Sequence, residues 1–177
     1  MITNWKAQIG LAWLAKQAMM ELDTESIFPY HLPEDAAEKA EIDEAERALG
    51  QPLDERYKEF LRHANGWPAF WHSADLFGTR DLIGGERKHA GEFLLSMLPD
   101  SVLSENNLNR ADLLPICATK LDKDIFVLER PRSPSPGIVV WFAGEEVERF
   151  PTFDDFFLAM VEYAKQDVEW LKTRRAK

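Results

Sequence analysis

The histidines and one pair of aspartates come nearest to a metal-binding pattern in this sequence. The histidines are His31, His63, His72 and His89. No two of them are four residues apart, the spacing that places two zinc ligands on one helical face. Asp122 and Asp124 resemble the opening of a calcium loop, but Phe126 and Ser133 stand at its fifth and twelfth positions, where oxygen ligands are needed. We therefore expect no metal site and no cofactor.

Catalytic nucleophiles and phosphate-binding loops are equally hard to place. The sequence has no Gly-x-Ser-x-Gly elbow and no Gly-rich loop leading into Lys-Ser or Lys-Thr. Cys117 lies in the apolar run 113–118, which is typical of a buried structural cysteine. Glu145 and Glu146 are adjacent, and adjacent strand residues point to opposite faces, so they do not make an acid and base pair. These patterns predict a protein that is not an enzyme.

An aromatic cluster suits protein binding better than catalysis. Trp67, Phe70 and Trp71 lie within five residues of one another. Such a group is a typical anchor at a protein interface when it is exposed, and a typical core element when it is buried. Both interpretations stay open, and the 6 tryptophans of the chain are many for one core of this size.

Helices are predicted on both sides of the segment that carries these residues. Apolar spacing near 3.6 predicts helices over 5–22, from 34 or 40 to 49, over 53–64, over 92–98 and from 152 onward. Gly50 can end the second helix in the left-handed conformation, and Thr152 can cap the last one. Residues 99–109 are predicted to form a loop.

Strands are predicted mainly in the second half of the chain. The β-branched and aromatic runs lie at 114–119, 125–129, 138–142 and 147–150, and a further strand begins near Leu76. Short turns join most of them, which indicates an antiparallel meander. We therefore expect an α+β fold, in which helices pack on one antiparallel sheet, with a C-terminal helix and an extra N-terminal helix.

Length and charge narrow the class of protein further. The chain has 177 residues, 45% of them hydrophobic, which suits one domain with one core. Its net charge is −10, and residues 34–46 hold seven carboxylates against one lysine, whereas 172–177 hold four cations. Such an acidic body repels nucleic acid and attracts basic protein surfaces, although acidity also serves simple solubility.

The cellular compartment of the protein is predicted from features that the sequence lacks. The single cysteine has no intramolecular partner, which fits a reducing compartment. No signal peptide is recognisable, and no apolar run reaches the ~20 residues that span a bilayer. These features predict a cytoplasmic protein without membrane contact.

The segment between the first helix and the sheet resembles the Smi/Knr family of the SUKH superfamily. The matching residues are Glu46, Leu49-Gly50, Tyr57, Phe60-Leu61 and Asn65-Gly66, followed by 113–118, 124–128 and 153–158. The likeness covers about 36–163. Asp54 stands where the family usually has proline, and Lys123 where glycine often precedes the aspartate. Both are physically tolerable, because aspartate also suits a helix N-terminus and Lys123 implies a turn less dependent on positive φ.

The resemblance implies an immunity protein that binds and neutralises a cognate bacterial toxin, often a nuclease. It also leaves open a regulatory or scaffold module without a toxin, while an enzyme with an unrecognised site is a third hypothesis. The domains implied are an N-terminal extension (1–33), a SUKH domain (34–172) and a basic tail (173–177). We expect a toxin with a basic surface to bind on the sheet face. From their positions in or beside loops, the expected contact residues are Trp67, Trp71, Asp122, Asp124, Glu145 and Glu146.

Overall fold

The predicted strands form the larger part of one antiparallel sheet. The structure, a computed structural model, describes residues 1–120 and 122–175, the last of them by its backbone only. Within this part, strands pair in chain order: β1 (Trp67–Trp71), β2 (Ala74–Leu76), β3 (Leu113–Ala118), β4 (Asp124–Glu129), β5 (Val139–Ala143) and β6 (Glu146–Phe150). The end of the predicted basic tail, residues 176–177, lies outside the described residues.

Helices precede the sheet, interrupt it and follow it. They are α1 (Trp5–Leu22), α2 (Lys39–Leu49), α3 (Glu55–Leu61), α4 (Thr79–Ile83), α5 (Glu86–Met97), α6 (Asp100–Glu105) and α7 (Phe153–Arg175), with a 3-10 turn at Arg110–Asp112. The predicted α+β class, the meander, and the N-terminal and C-terminal helices are confirmed.

Local sequence explains several helix ends. Asp54 caps α3 by accepting hydrogen bonds from the amides of Arg56 (2.9 Å) and Tyr57 (3.1 Å), as expected for an aspartate in place of proline. Gly50 ends α2 at φ +67, which a residue without a Cβ adopts at little cost. The prediction of a loop over 99–109 is wrong, because α6 begins directly after Pro99. Proline is favoured at a helix start, where no backbone N–H is needed.

The sheet has helices on both faces. Phe126 of β4 packs against Phe156 of α7, with 5.1 Å between ring centroids. The next residue, Val127, points to the opposite face and pairs with Pro115. Pro115 lies so close beneath α5 that a Cβ on Gly91 would come within 2.8 Å of its own Cβ. Helices α5 and α7 therefore cover opposite faces.

The expectation that a sheet face is the partner platform stays a prediction, and the central strands leave little open area for it. All six residues of β3 are buried, because helices cover both of its sides. The unbroken apolar run of 113–118 is the sequence pattern of a strand buried on both faces.

The N-terminal helix joins the core on the α7 side. The ring of Trp5 lies 5.6 Å from that of Phe60 and 5.0 Å from that of Phe157, both in edge-on geometry. Trp5 is 3% exposed. Helix α1 is therefore packed into the domain along α7.

Candidate partner-binding site

Three hairpin turns come together at one end of the sheet, which we name the turn end. Its residues are those of the β1–β2 turn (72–73), the described part of the β3–β4 turn (119–120 and 122–123) and the β5–β6 turn (144–145). The pairing of Asp75 with Ala118, and of Asp124 with Ala143, places the three turns side by side. Polar and aromatic side chains that are far apart in sequence meet here.

The turn end gathers most of the side chains that the sequence predicts as contacts. Trp71 and Asp124 lie beside the turns, and Asp122 and Glu145 lie in them, both exposed. Glu146 is the first residue of β6, and its carboxylate binds the guanidinium of Arg149 at 2.6 Å. Glu146 is therefore held within the domain, whereas Asp122 and Glu145 face water.

Trp67 is a correction to the predicted contact set. It lies at the other end of β1 from the turn, it is fully buried, and its indole N–H donates to the carbonyl of His31 at 2.8 Å. A side chain in this position cannot offer area to a partner. The core interpretation of Trp67 is the right one.

Trp71 and Trp141 form the aromatic part of the turn end on the α7 side of the sheet. Their ring centroids are 4.8 Å apart at an interplanar angle of 72°. The indole N–H of Trp141 donates to Asp124 Oδ1 at 2.8 Å. Burial raises the pKa of Asp124, and the hydrogen bond from Trp141 opposes this effect. The indole nitrogen of Trp71 is buried without a hydrogen-bond partner among the described residues.

His72 is a residue that sequence reasoning missed as part of this site. Its backbone has φ +48, in the left-handed region that favours glycine. Its ring stacks between Trp71 (4.1 Å between centroids) and Phe28 (4.8 Å), and Nε2 lies 3.0 Å from Asp167 Oδ2. These contacts hold the strained turn. The signal that could have revealed His72 is a two-residue turn between two strands in which neither turn residue is glycine.

On the other side of the turn end, α5 presents exposed apolar side chains. Phe93 is 63% exposed and Met97 is 65% exposed. They line one groove, which we name the α5 groove, with Leu94, Leu98, Pro99, Asp122, Lys123 and Gly144. The sequence predicted the helix 92–98, which carries both side chains one turn apart. It did not indicate that they are exposed.

The acidic segment 34–46 is partly neutralised by the rest of the chain. Four of its carboxylates form ion pairs: Glu34 with Arg87 (3.0 Å), Glu41 with Arg80 (3.9 Å), Asp43 with Lys39 (2.5 Å) and Glu46 with Lys58 (3.0 Å). Arg87 also binds Asp75 and Asp81. Much of this local charge is thus used to hold α2 and α5 in place, and is not free for a partner.

The remaining side chains that could be reactive or bind a metal ion do not form a chemical site among the described residues. Cys117 is fully buried, and burial raises the pKa of its thiol well above the usual value, which disfavours the reactive thiolate. Among the described residues, no three His, Cys, Asp or Glu side chains form a group that could hold a metal ion. No helix in the described part is both long and apolar enough to cross a membrane.

The fold is an α+β domain in which helices cover one antiparallel sheet. Residues 36–159 match the sequence model of the SMI1 / KNR4 family (SUKH-1), and the chain belongs to this family. The predicted resemblance over about 36–163 is therefore confirmed. The family includes immunity proteins, and its members are generally interaction modules without catalysis.

Comparison with individual proteins adds little to this assignment. No curated protein matches the chain. Among solved structures, a protein from Pseudomonas syringae pv. tomato is similar at 17% identity, over 79% of this chain and 92% of its own, with a TM-score of 0.44.

Proposed function

We propose that the chain is an immunity protein that binds and neutralises a cognate bacterial toxin, and that the toxin binds across the turn end and the α5 groove. Membership of the SMI1 / KNR4 family supports the first part. The second part rests on one observation: Phe93 and Met97 are exposed beside the turn that carries the exposed Asp122. The SUKH domain is proposed as 34–172, with 1–33 as an extension packed on it.

The apolar part of this surface supplies the binding energy in the proposal. A fully buried Phe or Met side chain contributes about 1.5–3 kcal/mol relative to an exposed one. Interface energy is usually concentrated in a few apolar or aromatic side chains at the centre of the contact. Phe93 and Met97 are one helical turn apart on α5, so one protruding side chain of a partner can contact both.

The charged part of the surface selects the partner. Asp122 and Glu145 are exposed at neighbouring turns, and the chain as a whole carries −10. Acidic side chains around an apolar centre steer a basic surface toward it and add specificity. Nuclease-type toxins have basic surfaces because they bind phosphates, so they are the proposed class of partner.

Co-expression with a candidate toxin, sought among the genes beside this one, tests the proposal at the level of cells. Cells that produce the toxin should survive only when this chain is also produced. Equal killing with and without the chain overturns the immunity function. Protection should need no substrate turnover, so it should saturate at one chain per toxin.

A matched pair of variants then tests the surface. Met97→Glu places a charge in the α5 groove, and Leu158→Glu makes the same change at a 38% exposed position of α7. Met97→Glu should weaken toxin binding at least about 10-fold, and Leu158→Glu should leave it within about twofold. Calorimetric titration of the toxin measures both. Binding of the Met97→Glu variant at wild-type strength contradicts the proposed surface.

A further inference from the structure

Helix α1 carries exposed apolar side chains on the side that faces away from its buried face. One face of α1 is buried against the domain through Trp5, Ala12 and Met19. On the other side, Leu11 is 47% exposed and Leu14 is 60% exposed. Because α1 precedes the segment that matches the family, this surface is separate from the proposed toxin site.

The outward residues follow a pattern that reads the same in both directions. They are the exposed Ala7, Leu11 and Leu14, with the half-buried Ala18 at the edge of the face beside Met19, at spacings of four, three and four. These spacings place all four on one stripe of a helix. The stripe is symmetric about a point between residues 12 and 13. Two antiparallel copies of α1 therefore align Leu11 of one with Leu14 of the other, and Ala7 with Ala18.

Charge on α1 favours the same pairing. Residues 1–20 contain no Asp or Glu, although the whole chain contains 31. Lys6 and Glu21 are both exposed and lie at opposite ends of α1, on the same flank of the stripe at 100° per residue. An antiparallel arrangement brings Lys6 of each copy near Glu21 of the other. Gly10 lies on that flank with nothing within 4 Å of where a Cβ would be, so two backbones can approach closely there.

We propose that the outer face of α1 is a self-association surface, where a second copy of this chain binds in an antiparallel, two-fold arrangement. A two-fold interface must be self-complementary, so that residue i meets residue j and j meets i. The palindromic stripe and its flanking charges meet this requirement. The dimer leaves the α5 groove open, because α1 packs along α7, on the opposite side of the sheet from α5.

The size of the contact sets the expected affinity. One helix from each copy buries less than the roughly 1,200 Å² of a standard stable interface. We therefore expect a reversible dimer with a dissociation constant between about 10 µM and about 1 mM. Its formation does not require a toxin, so it is measured on the purified full chain.

Sedimentation velocity over about 10 µM to about 1 mM is the first test. The wild-type chain should shift from monomer to dimer with concentration. Leu14→Glu should weaken the dimer at least about 10-fold, because it sets a carboxylate against Leu11 of the second copy. Leu158→Glu, the same change on α7, should leave it unchanged. A wild-type chain that stays monomeric at about 1 mM, or a dimer that Leu14→Glu does not weaken, overturns the proposal.

Cysteine cross-linking tests the orientation. The native Cys117 is buried, so an introduced thiol is the one that reacts. Chains with Ala7→Cys and chains with Ala18→Cys should cross-link when mixed. Ala7→Cys alone should not, because two copies of residue 7 lie about 16 Å apart along the axis, beyond disulfide reach. Fast self-linking of Ala7→Cys would indicate a parallel pair and refute the antiparallel arrangement.

The same variants distinguish self-association through α1 from binding of α1 to another kind of surface. If the wild-type chain is monomeric but co-sediments with vesicles of anionic lipid, and Leu14→Glu abolishes that binding, the occupant is a membrane surface and the second-copy proposal is wrong. Failure of toxin protection in cells does not bear on this dimer, and a monomeric chain does not bear on toxin protection.

Discussion

Lys16 of helix α1 offers a test of how firmly the N-terminal helix is built into the domain. Its side chain is 6% exposed, and its ammonium donates a hydrogen bond to the carbonyl of Ala69 in β1. Burial lowers the pKa of Lys16 from its ordinary 10.5 to about 8, although Cys117 and Asp167 partly oppose this shift. The proposed perturbation is Lys16→Met, which keeps the length of the side chain and removes the titrating group.

The magnitude follows from the two pKa values. Below about pH 8, Lys16 is protonated in both the folded and unfolded states, so it adds no pH dependence. Between about pH 8 and 10.5, the folded state loses this proton while the unfolded state keeps it. The unfolded state then binds more protons, so a rise in pH stabilises the fold. Over this window the wild-type chain should gain about 3 kcal/mol relative to Lys16→Met.

Urea unfolding at a series of values from about pH 6.5 to about pH 10.5 measures the difference in unfolding free energy between the two chains. Titrating groups that do not interact with Lys16 are present in both chains and cancel. Lys6→Met is the control, since Lys6 is exposed on the same helix and its replacement removes the same charge. A difference for Lys16→Met that is flat or falls with pH refutes a buried ammonium, and with it the close docking of α1.

Two further predictions concern stability. At Gly78, a Cβ would lie 2.0 Å from the backbone oxygen of Asn65, so Gly78→Ala should cost about 3 kcal/mol or more in urea unfolding. Gly10→Ala, in open space on α1, should instead stabilise by about 1 kcal/mol, and equal effects of the two changes would contradict the close approach. Burial raises the pKa of Asp23, but hydrogen bonds from the amides of 27–28 outweigh it and leave the pKa lowered. Asp23→Asn should therefore cost about 1–2 kcal/mol at neutral pH, and the loss should vanish as the pH falls below about 4. A loss that persists in acid would assign it to packing and not to the carboxylate.

The elements with a strong local pattern were predictable. Helix α1 was predicted at its observed bounds, 5–22, because its apolar residues repeat at helical spacing. The strands between 113 and 150 were predictable because their β-branched and aromatic runs are bounded by turns. By contrast, α6 has only six residues, which is too short for a periodic pattern to stand out, and it was predicted as loop. Short helices are stabilised by their tertiary contacts more than by their own sequence.

The candidate site, too, was predictable from sequence only in part. The turns that carry Asp122 and Glu145 were located from sequence, because turn residues are a local property. The stacking of His72 between Phe28 and Trp71 was not, because it joins a loop before α2 to the β1–β2 turn. Contacts across such separations leave no periodic trace in one sequence.

Sequence by itself determined the family, the α+β class and the acidity of this protein, since these follow from motif order, periodicity and composition. Tertiary structure decided which of its side chains meet water. Trp67 and Trp71 are four residues apart on one strand, yet Trp67 is fully buried with its N–H bound to His31, and Trp71 is half-buried at the turn end. Likewise, Phe93 and Met97 are exposed only because α5 packs on the sheet through Gly91 on its other side. Exposure depends on what packs from elsewhere in the chain, and that is fixed by the assembled core and not by the local pattern.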